Sequence, residues 1–395
     1  MRRKFWPALR RIMQVLALGV LLSIAAALIA GWKAFGHRPS GDALARVRHS
    51  SHWQDGHFVN PEPLVNDLWK TLVGMTHVSE NVSPASPPPT VALSSTSFAS
   101  PPSSGLRVTW FGHSSTLVEL DGKRVLTDPI WSERASPFEA LGPARWTRPP
   151  LLLEELPHID AVVVSHDHYD HLDMGTMIAM REWDTVFIVP LGVGAHLAYW
   201  GIAPERIREL DWWESTKVGA LEIFCTPARH ASGRHLLDKD ATLWAGYALV
   251  GPAHRVYYSG DTGLFSAMND IGDRLGPFDL TMIETGQYNA AWPDWHIGPE
   301  QAVMAHQMVR GRMMLPVHWD LFGLAYHGWT EPIERTRVAA ASAGVALLMP
   351  MPGQSIEPAR APAFTQWWPK MPWQTASEAP IVSGGLLSRT KAATP

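Results

Sequence analysis

Ala161-Val162-Val163-Val164 is an uninterrupted apolar stretch that runs straight into Ser165-His166-Asp167-His168-Tyr169-Asp170-His171. No other part of the chain restricts its fold and chemistry as tightly. A short continuous apolar run reads as a strand buried on both faces, which requires a layer packed on either side. In an extended segment His166 and His168 project to one side. The chain then turns, and Asp170 and His171 point together at a second, nearby position. Neutral imidazoles and a carboxylate suit a borderline divalent ion such as zinc. The four candidate ligands within residues 166–171 exceed what one zinc accepts from so tight a loop, so two adjacent ions are expected.

Further ligand types stand just after other apolar strands. His230 follows Phe224-Cys225-Thr226-Pro227, Asp261 follows Tyr257-Tyr258-Ser259-Gly260, and His318 follows Leu315-Pro316-Val317. Each taken alone is equally well a capping or surface residue; together with the loop they complete two sites. Cysteine contributes nothing here: Cys225 is the only one, which excludes an internal disulfide and any Cys-rich zinc site.

Strands are expected at 107–111, 115–120, 124–127, 161–164, 186–189, 221–226, 243–250, 255–258, 280–283 and 313–317. Helices are expected at 174–181, 299–309 and 331–343, the second opened by Pro299 and the third capped by Thr330. Strands interleaved with helices predict one layered α/β body over 106–355.

The first residues carry a different message. Ile12 to Gly31 is apolar over twenty residues except for Gln14 and Ser23, and Arg2, Arg3, Lys4, Arg10 and Arg11 precede it. At 1.5 Å per residue the run is about 30 Å long, one hydrocarbon thickness. The expectation is a basic stub and uncleaved single-pass anchor (1–32), with the catalytic body on the extracytoplasmic side. A juxtamembrane arm (33–80) and a Pro/Ser-rich linker (81–105) follow, and the chain closes in a partly disordered tail (356–395). Beyond residue 31 there remain 28 Lys and Arg against 37 Asp and Glu, an acidic body that argues against a phosphate-backbone grip on nucleic acid. The apolar residues Trp292, Trp295, Leu321 and Phe322 are candidates for an acyl-facing rim.

HxHxDH with later His, Asp and His resembles the signature of the metallo-β-lactamase superfamily. Within it Thr109-Trp110-Phe111-Gly112-His113, Leu126-Thr127-Asp128-Pro129-Ile130, Arg134-Ala135-Ser136-Pro137, Glu209-Leu210-Asp211-Trp212-Trp213-Glu214, Ser259-Gly260-Asp261-Thr262-Gly263 and Gly276-Pro277-Phe278-Asp279-Leu280 resemble the N-acyl-phosphatidylethanolamine-hydrolysing phospholipases D. The resemblance spans about Arg107–Gly353. It implies an α/β fold, the metallo-β-lactamase-type αββα sandwich, here with an N-terminal transmembrane helix, and a di-zinc centre at one edge. By motif, His166, His168 and His230 hold the first zinc, Asp170, His171 and His318 the second, and Asp261 bridges them. Asp128 is then expected to orient a ligand histidine, His296 to stand near the substrate phosphate, and Tyr169, Tyr288 and Trp295 to line a substrate pocket. His113 reads as a satisfied structural histidine. The implied reaction is phosphodiester hydrolysis of a phospholipid at a membrane, releasing phosphatidic acid and an N-acylethanolamine. A related hydrolase acting on a lactone or another phosphodiester is the alternative, as is a divalent metal other than zinc. Trp295 occupies a position where the animal enzymes carry glutamine.

Overall fold

The computed structural model describes residues 2–384. Its strands are β1 Trp53–Gln54, β2 His57–Phe58, β3 Leu106–Trp110, β4 Thr116–Leu120, β5 Lys123–Thr127, β6 Ala161–Val163, β7 Val186–Pro190, β8 Ile207–Leu210, β9 Ser215–Val218, β10 Leu221–Thr226, β11 Gly246–Val250, β12 Arg255–Tyr258, β13 Leu280–Glu284, β14 Met313–Val317, β15 Ala346–Leu347 and β16 Ser355–Ile356. The helices are α1 Arg2–Gly31, α2 Gly41–His49, α3 Leu68–Gly74, α4 Met174–Ala179, α5 Gly194–Tyr199, α6 Met268–Leu275, α7 Pro299–Met308 and α8 Glu331–Ala343. Apart from the β1–β2 hairpin, the strands form two seven-stranded sheets, ordered β16-β3-β4-β5-β6-β7-β8 and β15-β14-β13-β12-β11-β10-β9.

The alternation of side chains explains why these strands read as continuous apolar runs. In β6, Ala161 and Val163 join the cluster shared with Ile223, Tyr247 and Val256 of the other sheet. Val162 and Val164 face the opposite way, onto Met177 of α4 and Leu197 of α5. In β12, Val256 and Tyr258 enter the inter-sheet cluster, while Tyr257 packs with Met268 of α6 and Val303 of α7. Both faces of each central strand are covered, giving the four-layered αββα arrangement. Each buried aliphatic side chain contributes ~1.5–3 kcal/mol relative to exposure.

β5, β6 and β7 pair in parallel, as do β12, β13 and β14. β3 and β10 run in the same sense as β5 and β12, each through two antiparallel steps. The carboxyl ends of all these strands therefore open on one edge, where ligands of open α/β sheets collect.

Several expectations need correction. The strand expected over 243–250 begins only at Gly246, because Leu243 and Ala245 donate their N–H groups across to Leu191 and Ser165 of the first sheet's loops. The arm and the Pro/Ser-rich segment are not free spacers. Val47 and Phe58 enter the inter-sheet core, Phe98 packs with Leu117 and Leu126, and the Val91 N–H donates to Pro352 O. The tail also packs: Trp368 is buried, and Ser383 Oγ donates to Asp294 Oδ1 at 2.6 Å. A segment too polar to build a core still docks through its few apolar residues. Residues 385–395 of that tail lie outside the described residues.

The apolar run belongs to α1, which begins at Arg2 and so takes in the basic residues. Among the described residues no helix is long and apolar enough to cross a membrane. The transmembrane span expected from the sequence is therefore not supported. Leu16, Val20 and Leu21 of this helix are exposed.

Candidate metal centre

The edge defined by the strand ends gathers the histidines and carboxylates. Ligand atoms of His166, His168 and His230 lie within 4.8 Å of one another, and so do those of Asp170, His171 and His318, joined by His113. His168 Nδ1 stands 2.9 Å from His166 Nε2 and 3.3 Å from His230 Nε2. His171 Nε2 is 3.2 Å from His318 Nε2, and each is 3.3 Å from Asp170 Oδ2. Asp261 Oδ2 lies between the two groups, 3.0 Å from His171 Nε2, 3.2 Å from His318 Nε2, 3.7 Å from His166 Nε2 and 3.8 Å from His230 Nε2. The sequence assignment of two triads with Asp261 between them is the arrangement the fold produces.

The donor set fits divalent metal. Two imidazole nitrogens on one tetrahedral zinc at 2.0–2.1 Å stand about 3.3 Å apart, close to the separations found. Without a shared cation, lone pairs converging at this range would repel. Asp261 Oδ1 is buried with no hydrogen-bond partner, an acceptor that a cation would satisfy. Burial, then the neighbouring histidines, hold His166 and His230 well below the ordinary histidine range, which leaves them neutral and able to ligate. Burial opposes ionisation of Asp170 and Asp261, but the facing histidines, His171 first in each case, outweigh it and hold both carboxyls well below their usual range.

A surrounding layer sets the tautomers. Asp128, directly after β5, is fully buried and accepts from Ser165 N (2.7 Å), from His171 Nδ1 (2.6 Å), from Ser165 Oγ and from Tyr258 Oη. His171 Nε2 is thereby turned to the centre, as expected of Asp128. Since Ser165 Oγ gives its proton to Asp128, His166 Nδ1 donates to Ser165 Oγ at 2.9 Å, freeing Nε2. His230 Nδ1 donates to Trp295 O at 2.8 Å. Asp261 is presented by a turn that only glycine fits: Gly260 has φ +57°, and a Cβ there would meet Ala245 O at 2.6 Å.

His113 is structural, as expected, but acts closer to the centre than a turn residue would. It is fully buried, its Nε2–H donates to Asp170 Oδ2 at 2.9 Å, and burial, then His318, push it down to about 3. Glu284, at the end of β13, was not anticipated. It is fully buried, with Oε2 2.9 Å from His296 Nδ1 and 3.3 Å from His318 Nδ1, while Oε1 accepts from Thr262 N. The signal was present in the sequence: Glu284 is a polar residue closing an apolar strand, like the other site residues. His296 donates to Glu284, is partly exposed, and lies nearly parallel to His318 with ring centroids 5.1 Å apart.

The expected substrate-pocket residues fall in different places. Trp295 is half-buried, edge-on to His230 at 5.9 Å. Tyr169 turns away from the metal-facing side, its Oη donating to Arg234 O at 2.6 Å. Tyr288 is buried, donates to Glu331 Oε1 at 2.8 Å and stacks on His327, so it serves packing and lines no pocket at the centre. Leu321 and Phe322, read as an exposed acyl-facing rim, are buried with Ile130 and Ala135.

Asp167 points away from the metal ligands, as alternation requires, but not into solvent. Its buried carboxylate accepts from Gly233 N (2.7 Å) and Thr242 Oγ1 (2.8 Å) and lies 3.4 Å from His196 Nε2. These contacts make substitution by Asn costly. Asp167→Asn turns an acceptor into a donor against these groups and should destabilise folding by ~1–3 kcal/mol. Denaturant unfolding would read this as a lower midpoint, while metal content per folded chain stays near wild type.

Comparison with known proteins places this arrangement. A family model described as "Beta-lactamase superfamily domain" matches residues 123–319. An uncharacterized protein of Mycobacterium tuberculosis is 47% identical over 329 residues, covering 81% of this chain and 87% of that protein. The N-acyl-phosphatidylethanolamine-hydrolyzing phospholipase D 1 of Caenorhabditis elegans is 40% identical over 240 residues, 58% of this chain and 67% of its own length. An isothiocyanate hydrolase from Delia radicum gut bacteria shares the fold, with a TM-score of 0.51 at 21% identity over 64% of this chain and 98% of its own.

Proposed function

The chain belongs to the metallo-β-lactamase superfamily and is a metal-dependent hydrolase, and on that premise we propose that it is a di-zinc phosphodiesterase of phospholipase D type acting on N-acyl-phosphatidylethanolamine-like lipids. One observation carries the reading: the Asp261 carboxylate lies between two separate triads of ligand atoms, as a bridge between two ions requires. The likeness to the nematode phospholipase supports the substrate class.

Two zinc ions would supply an acidified water and charge neutralisation for a phosphoryl group. His166, His168 and His230 would hold one; Asp170, His171 and His318 would hold the other. Asp128 and His113 keep His171 and Asp170 in the orientation that faces the substrate. His296, with Nδ1–H tied to Glu284, would present Nε2 to the leaving oxygen and, when the ring is doubly protonated, would pass it the Nε2 proton. Trp295 supports the site from behind, through its carbonyl on His230.

The decisive measurement is incubation of detergent-purified protein with synthetic N-acyl-phosphatidylethanolamine, with and without chelator. Mass spectrometry should show phosphatidic acid and N-acylethanolamine appearing only with metal. Release of diacylglycerol, or turnover of a lactone with the lipid untouched, would overturn the substrate reading.

Membrane association through the apolar side chains exposed on α1 belongs to the same proposal and is supported by the apolar run of residues 12–31. The intact chain should resist carbonate extraction, and a chain lacking residues 1–31 should be released with its metal retained. Extraction of the intact chain by carbonate would sink this part.

A further inference from the structure

His230 stands in the loop after β10, beyond the last ladder pair of that strand at Thr226 and Gly246. It is fully buried, so its backbone N–H and C=O need partners where no neighbouring strand supplies them. One side chain of the arm takes both. Asn60 Nδ2 donates to His230 O at 2.7 Å, and the His230 N–H donates to Asn60 Oδ1 at 3.0 Å. A primary amide offers a donor and an acceptor in one plane, as the edge of a strand does. The ring of His230 is held separately, by Nδ1 on Trp295 O.

The residues on either side of Asn60 fix the arm along this edge of the site. Phe58 is buried in the inter-sheet core, and its N–H donates to Asp240 O at 2.8 Å. Pro63 O accepts from Arg229, the residue before His230. The Val65 N–H donates at 2.8 Å to Oδ2 of Asp294, the residue before Trp295. Arg229 and Asp294 close the frame as a buried ion pair at 2.7 Å. Asn60 is thus held by a packed aromatic ring on one side and, on the other, by the charged neighbours of His230 and Trp295. The arm lies outside residues 123–319, the part of the chain that matches the family model.

We propose that Asn60 is a positioning residue of the metal centre: its amide sets where the His230 imidazole stands, and the arm thereby completes the position shared with His166 and His168. The inference rests on the reading of those three histidines as one metal position. Without the amide, two buried backbone groups would turn toward other partners and carry the imidazole with them. Zinc tolerates only about 0.2 Å in its ligand distances, so a small shift of the loop reaches the metal. This role differs from packing, because an apolar side chain of similar size fills the same space and leaves both groups unpaired.

The test is zinc titration of the full chain, stripped of metal in non-ionic detergent, against a chromophoric chelator. His230→Ala and His318→Ala assign the two binding steps. Asn60→Leu should weaken the step that His230→Ala removes by about tenfold or more and leave the other step at wild-type affinity. Phe58→Leu loosens the arm but keeps the amide, so it should lower the unfolding midpoint of the metal-free chain with both zinc affinities unchanged. Asn60→Ser, whose hydroxyl can bond one of the two backbone groups, should fall between Asn60→Leu and wild type, and it carries the test alone if Asn60→Leu does not fold. Wild-type affinity at both steps in the Asn60 variants would overturn the proposal. So would an equal loss in Phe58→Leu, which would make the packing of the arm the cause. If His230→Ala itself keeps both steps, the metal assignment falls and the proposal with it, a result distinct from a failure confined to Asn60.

Discussion

Replacing Asp261 by Asn is expected to lower hydrolysis by on the order of 10³-fold or more, with loss of bound metal. The carboxylate approaches ligand atoms of both triads: its Oδ2 reaches His171, His318, His166 and His230 within 3.8 Å. An amide has one neutral oxygen and one NH2 group. The oxygen offers less charge to offset two divalent ions, and an NH2 turned inward would point a donor at positions that need acceptors. The spacing of the ions, and with it the placement of the attacking water, would be lost. Metal analysis by mass spectrometry and a rate assay at saturating zinc separate the two consequences. Full activity with metal content unchanged would show that Asp261 does not bridge. Asp167→Asn provides the contrast, because it changes the same chemical group in the same region but acts on stability alone.

The second large effect is expected at Asp128. Its carboxylate accepts from four donors: Ser165 N, Ser165 Oγ, His171 Nδ1 and Tyr258 Oη. Asp128→Asn sets an NH2 group against donors where a charged acceptor stood. The cost should be ~3–5 kcal/mol, the range for breaking a fully buried charged network. His171 and, through Ser165, His166 would lose the bonds that fix which nitrogen faces the metals, so metal affinity should fall about 10–100-fold. Metal titration of the folded variant reads the second effect; chemical denaturation reads the first. Tyr258→Phe removes one donor of the four and should cost only about 1 kcal/mol. Equal losses for both variants would mean that Asp128 acts through packing rather than through its charge.

Much of the candidate metal centre was legible because several of its residues follow one local rule. A buried strand can carry only apolar side chains along its length, so a His, Asp or Glu directly at its end stands at the sheet edge. His166, Asp261, His318 and Asp128 all follow that rule, as does Glu284, passed over only because β13 runs one residue further than its apolar pattern. His230 lies a few residues past β10 and was read from that strand, while His296 sits in a loop and was placed by motif. The layered α/β body followed from the same strands, since runs that are apolar on both faces need two covers; the αββα order came from the family resemblance.

Segments whose meaning depends on distant partners were not legible. The Pro/Ser-rich stretch, the arm and the tail have compositions that cannot form a core by themselves, and whether Phe58, Phe98 or Trp368 meets a core depends on surfaces far away in the chain. Alternation showed that Asp167 faces away from the metals, but not that the opposite side is occupied by Gly233, Thr242 and His196. Tyr288 was read by motif as a pocket residue and Phe322 by type as part of an acyl-facing rim, and packing buried both instead. The sequence by itself determined which candidate ligand residues stand at strand ends and that a layered α/β body encloses buried strands, because strand burial and ligand type are local properties. Only the tertiary structure decided how the arm meets His230 and which polar groups are left without partners, because those outcomes depend on contacts between residues as far apart as Asn60 and His230.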